Sequence, residues 1–209
     1  MLRGPALTTL ARLYPGVLWR VPEAGSRVFL TFDDGPCPAV TPWVLDTLAA
    51  YQAKATFFCT GTQAASHPAL LQRIRAEGHT AGHHTWDHAD GWRTTPRAWL
   101  RSMLLASTLI GGPLFRPPYG HLPPRMAALL GKRFQVVMWD VMAYDFTPGR
   151  SGSACARRVL RSARPGSIIV LHDNPKSAPC LRQALVPILE GLSSKGLACA
   201  ALPSPATSR

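Results

Sequence analysis

The chain has 209 residues, 46% of them hydrophobic and 16% charged, which suits one large domain or two small ones and excludes coiled-coil, collagen-like and low-complexity classes. Its 23 Lys and Arg stand against 11 Asp and Glu, and the net charge of +12 favours anionic partners such as an acidic glycan. No long basic run, zinc-finger spacing or RNA-recognition signature accompanies that charge, so no nucleic-acid partner is expected.

Residues 1–26 open the chain as an N-terminal cap. Within them LTTLARLYPGVLW reads as a short amphipathic surface helix or simply as packing on the domain. Arg3, Pro5, Arg12 and Pro15 break the apolar runs, so no secretory signal is read and a cytoplasmic location is expected. No run of about 18 apolar residues is present to cross a membrane. Strands are expected at Arg27–Phe32, Ala55–Cys59, His79–Gly82, Leu114–Arg116, Phe134–Trp139, Ser167–Leu171 and Leu197–Leu202, all rich in Val, Ile, Phe or Thr. Helical patterns fall between them, near Val40–Tyr51, Pro68–Glu77, Pro96–Ile110, Pro123–Leu130, Ala154–Ala163 and Cys180–Ser194. Pro68 and Pro96 sit where a first helical turn begins. This alternation predicts an α/β fold, with a parallel sheet covered by helices as an open sheet or a small incomplete barrel over residues 27–202. Residues 203–209 read as a disordered tail. Cys37, Cys59, Cys155, Cys180 and Cys199 are dispersed without a C-x-x-C pair, which predicts reduced thiols.

Ligand sites in parallel sheets form at the C-terminal ends of strands. Here the strand ends run into Asp33-Asp34, the stretch His83 to His88, Arg116, Asp140 with Asp145, and His172-Asp173, which suggests one shared site. Away from these stretches the acids are only Glu23, Asp46, Glu77, Asp90 and Glu190. His84 and His88, at i and i+4, would point the same way on one helical turn and could grip one ion, with the Asp33-Asp34 pair supplying a third ligand. Two histidines and a carboxylate leave a coordination position open, which is the catalytic pattern. If Asp34 turns to the metal, Asp33 faces the open side and can act as a base. His172 is then a second proton handler, with Asp145 the first candidate to orient it and Asp173 the second. Arg116, stiffened by two following prolines, can pair with Asp33, and the backbone N–H of Tyr119 can meet a developing oxyanion. Trp86, Trp92, Trp139 and Tyr144 lie near these stretches, but aromatic residues there are more often core than sugar platforms, and none is assigned.

These residues together resemble the polysaccharide deacetylases of carbohydrate esterase family 4, the NodB-homology fold, over roughly Arg27 to Leu202. TFDDGP (Thr31–Pro36) is similar to the family's first motif, whose first Asp is a base and second a metal ligand. HTWDH (His84–His88) resembles the motif that supplies two metal histidines, and RPPY (Arg116–Tyr119) the one that shapes a groove wall and offers an oxyanion amide. Asp145-Phe146 falls where the family has Asp-Trp, and Val170-Leu171-His172 where it has Leu-x-His with the histidine as acid.

The resemblance implies a distorted (β/α)7-type barrel and metal-assisted removal of an N-acetyl group from an amino sugar in a glycan. Asp34, His84 and His88 are the implied metal ligands, and zinc is favoured by ligand type, with cobalt or nickel fitting. Asp33, His172, Arg116 and Asp145 form the implied catalytic set, with Tyr119, Phe146 and Val170 against substrate. Three positions depart from the family pattern. His83 replaces an Asn and is expected to fill space behind the site rather than add a ligand. Phe146 and Val170 replace Trp and Leu in the wall of the acetyl pocket, which stays apolar with an altered shape. Two rival functions remain: hydrolysis of another small amide by the same site, and non-catalytic glycan binding on the same fold.

Overall fold

The computed structural model of the protein describes residue 14 and residues 16–203. Most of the stretch read as an amphipathic helix, and the tail from residue 204, lie outside the described residues. The described residues hold eight strands: β1 (Arg27–Asp33), β2 (Ala55–Cys59), β3 (Thr80–His83), β4 (Leu114–Phe115), β5 (Gln135–Val136), β6 (Val141–Met142), β7 (Ile168–His172) and β8 (Ala198–Cys199). The helices are α1 (Thr41–Ala50), α2 (Gly61–Ser66), α3 (Pro68–Ala76), α4 (Pro96–Ile110), α5 (Pro124–Leu130), α6 (Gly152–Ser162) and α7 (Ala178–Ser194).

Every ladder between named strands is parallel, in the order β5-β4-β3-β2-β1-β7-β6, with β8 paired to the start of β1. The sheet curls into an incomplete barrel, as expected. Leu18 bridges Val137 just beyond β5, and Arg20 bridges Ser167 just before β7, so the N-terminal stretch ties two parts of the sheet together. None of the described helices is long and apolar enough to cross a membrane. All five cysteines are free thiols.

Strand periodicity sorts the side chains into two layers. On β1, Val28, Leu30 and Phe32 face outward into a core shared with Val44 and Leu48 of α1, Ile74 of α3, Val159 of α6 and Leu185 of α7. Phe29 faces inward, joining Phe58, Leu114, Val137 and Ile168. Asp33, Arg116 and His172 fall on the inward parity of their own strands, and His84, one residue past β3, does the same. The β1–β7 register sets Asp33 beside His172. A fold that fills its lower interior with Phe and Ile thus ends each inward row on a polar group at one rim.

Two elements differ from expectation. The expected strand Phe134–Trp139 is only β5, and a separate β6 follows. Asp140 causes the break: its Oδ1 accepts from Ile168 N–H at 2.8 Å and its Oδ2 from Ser167 Oγ at 2.9 Å, which turns the chain toward β7. Asp140 is therefore spent at the start of β7, away from the rim where the other strand-end groups gather. The unexpected α2 has the sequence GTQAAS and buries only Gly61 and Ala64, too little apolar surface to show a helical period.

Candidate active site

Asp34, His84 and His88 offer ligand atoms that lie within 4.8 Å of one another. Asp34 Oδ1 lies 3.1 Å from His88 Nε2 and 3.6 Å from His84 Nε2. The expected helical turn under the two histidines is absent. Residues 84–88 are irregular, and Thr85 and His88 take left-handed φ of 60° and 59°. The backbone reverses so that both rings, 5.0 Å apart, reach one point. Asp34 also has left-handed φ, 81°, which lets two adjacent carboxylates face the same rim instead of diverging. Gly35 follows because a Cβ there would lie 2.2 Å from Asp173 Oδ2.

The donor set fits a divalent cation. Asp34 Oδ1 is buried with no hydrogen-bond partner, although buried carboxylate oxygens are normally satisfied. Its other oxygen accepts from Asn174 Nδ2 at 2.7 Å. Burial pushes the Asp34 carboxyl upward, but the close His88 ring and the charges of His84, His172 and His88 hold it far below the usual carboxylate range. Burial pushes His84 down to about 4 against the pull of Asp33 and Asp34, so its ring is neutral, the form a metal takes. His84 Nδ1 lies 2.7 Å from the Arg116 carbonyl oxygen. A carbonyl only accepts, so Nδ1 carries the proton and Nε2 is free to ligate. His88 Nδ1 meets the Tyr119 hydroxyl at 3.1 Å.

Asp33 stands beside this cluster as half of a buried ion pair. Arg116 Nη1 donates to Asp33 Oδ1 and to Thr31 Oγ1, both at 2.7 Å. The rest of the guanidinium donates to the carbonyls of Val137 (3.2 Å) and Met138 (3.0 Å), and its carbon lies 4.1 Å above the Phe58 ring. Opposite, Asp145 Oδ1 holds His172 Nδ1 at 2.9 Å while its Oδ2 accepts the His172 backbone N–H at 2.8 Å. Burial alone would lower the His172 pKa. The Asp145 hydrogen bond and the charges of Asp145, Asp33 and Asp34 outweigh it and raise the pKa to about 9.

These groups line one cavity of about 460 Å³, whose apolar wall is Trp139, Met142, Phe146 and Val170. The Phe146 ring meets His172 edge-on at 5.0 Å. Tyr119 stands at the mouth, 60% exposed with φ of 60°. The ten residues given metal-ligating, catalytic or substrate-facing roles by the resemblance thus gather here, Arg116 and Asp145 supporting the lining from behind. His83 instead faces outward, stacked 5.0 Å from Phe115 and edge-on to Phe134 at 5.1 Å, and burial lowers its pKa to about 3. Asp173, the second choice to orient His172, points under β1 to Gly35 N–H and Thr41 Oγ1. Asn174 and Lys176 line the cavity and were missed, because nothing in the spacing of His172-Asp173-Asn174-Pro175-Lys176 marks which side chains turn inward.

Residues 20–134 match the family model for polysaccharide deacetylase. The peptidoglycan-N-acetylglucosamine deacetylase PgdA of Listeria monocytogenes is 34% identical over 165 residues, covering 75% of this chain and 35% of that protein. The chain thus spans about a third of the length of that relative. A peptidoglycan-N-acetylglucosamine deacetylase of Bacillus cereus is 33% identical over 88% of this chain and 69% of its own length. A chitooligosaccharide deacetylase of Bradyrhizobium is 39% identical, covering 72% of each. Among solved structures, the Bc1960 peptidoglycan N-acetylglucosamine deacetylase superposes with a TM-score of 0.87 at 28% identity, covering 93% of this chain and 94% of that one. A family 4 carbohydrate esterase from Streptomyces lividans, in complex with acetate, gives 0.76 at 30% identity, covering 88% and 95%. On the extent of that family match, and with a parallel barrel rim that gathers its residues in one cavity, the chain belongs to the polysaccharide deacetylase family.

Proposed function

We propose that the protein is a metal-dependent hydrolase that removes the N-acetyl group from an N-acetylated amino sugar within a glycan. The observation that carries this reading is the cavity itself: an Asp34-His84-His88 cluster flanked by a base candidate, Asp33, and an acid candidate, His172. A divalent cation, zinc by its nitrogen and oxygen donors with cobalt or nickel also fitting, would supply a Lewis acid for the amide carbonyl and a more acidic water. Asp33, fixed by Arg116, takes the proton of the attacking water. The backbone N–H of Tyr119 donates to the oxygen on which charge develops. His172 gives its proton to the sugar nitrogen as the carbon–nitrogen bond breaks, and acetate leaves. Phe146 and Val170 form the wall against the acetyl methyl group.

The test is acetate release from N-acetylglucosamine oligomers by protein stripped with a chelator and by the same protein with zinc restored. Release that returns with zinc supports the reading; equal release by both samples contradicts it.

The Asp145–His172 pair sets an expected pH dependence. A folded pKa near 9 lies above the ordinary histidine value of 6.5, so the imidazolium is an available acid at neutral pH. The same sign applies to stability: the contribution of this pair is full below about 6.5 and is lost as pH rises through about 9. A bound cation offsets the pull of Asp33 and Asp34 but leaves that of Asp145. Asp145→Asn is therefore expected to move the alkaline limb of kcat/KM down by about one pH unit or more. An unmoved limb would show that His172 is not the acid.

A further inference from the structure

Trp92 is 66% exposed, the most exposed of the large hydrophobic residues in the described chain. Yet its ring is fixed. It lies flat on His121, with centroids 3.6 Å apart and planes 9° from parallel. His121 Nδ1 is 2.8 Å from Asp90 Oδ1, and that same oxygen accepts the Trp92 backbone N–H at 2.8 Å. Asp90 thus pins both partners of the stack. Gly91 permits the close approach of the two loops, since a Cβ there would lie 2.2 Å from the His121 carbonyl oxygen. With one face on His121, the exposure of Trp92 belongs to the other face.

The stack continues a row of rings that starts at the cation cluster. The His88 and Tyr119 rings lie 4.6 Å apart, and those of Tyr119 and His121 5.5 Å apart. The row leads out of the cavity and ends in the open face of Trp92. A rigid aromatic face presented to water is costly to hold without a ligand and cheap to bind with, because its ordering entropy is already spent. The class of ligand with a flat apolar face and a polar rim is a sugar ring, whose C–H face can cover the indole while its hydroxyls stay in water.

We propose that Trp92, seated on His121, is the platform for a neighbouring sugar ring of the chain whose acetamide enters the cavity. Trp92 thus adds a contact that a chain can use and a monosaccharide cannot. This rests on the deacetylase reading above and assigns one residue of its substrate contact.

The test compares wild type, Trp92→Ala and Trp92→Phe, all zinc-loaded. Acetate release is followed from N-acetylglucosamine and from its pentamer, and pentamer affinity is measured separately by calorimetry. Trp92→Ala is expected to raise KM for the pentamer and weaken its binding by about five- to tenfold. The kcat and the monosaccharide rate stay unchanged, and Trp92→Phe recovers most of the loss. An unchanged pentamer KM and affinity, or an equal loss on both substrates, overturns the platform. So does a wild type that binds no pentamer. A wild type that binds pentamer without releasing acetate sinks the deacetylase reading alone, and the affinity of Trp92→Ala then still decides the platform.

Discussion

Asp33→Asn is expected to lower acetate release by about 10³-fold while zinc binding is kept. Asn has the shape of Asp and still offers an oxygen to Arg116 Nη1, so the hydrogen bond at 2.7 Å has a successor. What it cannot do is take a proton. Asp34, His84 and His88 are untouched by the change, and the cluster proposed to hold the cation survives. The variant therefore separates holding the ion from moving the proton. Residual activity within tenfold of wild type would show that some other group is the base, and the lining offers His172 as the next one to test.

Arg116→Met is expected to cost roughly 3–5 kcal/mol of folding stability, read as a shift in the urea midpoint with little change in slope. The guanidinium is fully buried beneath the cavity and donates to Asp33, Thr31, and the carbonyls of Val137 and Met138. Met fills a comparable volume against Phe58 but leaves the Asp33 carboxylate and two backbone carbonyls without their donors. Arg116→Lys restores a charge but not the planar fork, so it recovers only part of the loss. A destabilisation below about 1 kcal/mol for Arg116→Met would mean that water or another side chain replaces those bonds at little cost. The same residue thus joins core and cavity: it roofs the Phe29 and Phe58 layer and holds the Asp33 carboxylate above it.

Much of this was legible because a strand has only two faces. Once Arg27–Phe32 is read as buried on both sides, Asp33 must fall at a strand end, and the same logic places Arg116 and His172. Side-chain type then did the rest, since an Asp pair and two histidines at matching ends suit few tasks besides holding a cation. The i, i+4 spacing of His84 and His88 pointed to two rings that do come together, but for the wrong local reason. Left-handed turns at Thr85 and His88 bring the rings together, and non-glycine residues give no sequence sign that they will adopt such φ values. Asp140 was grouped with the site because it too follows an apolar run. Its bonds to Ile168 and Ser167 depend on which strand lies beside it, and that is settled only by the sheet order. Asn174 was hidden for a related reason, since it touches Asp34, 140 residues away. Trp92 was weighed as a sugar platform and left unassigned, because its footing is a ring from a different loop. No local period reports either contact.

We propose Asp34, His84 and His88 as the holders of the ion that deacetylation needs, with Asp33 beside them as the base. The deciding experiment measures zinc content and acetate release together on wild type, Asp33→Asn and His88→Ala. Expected are one zinc per chain in wild type and in Asp33→Asn, its loss in His88→Ala, and full acetate release only from wild type. Full zinc occupancy in His88→Ala, or undiminished acetate release from zinc-free protein, would contradict the proposal.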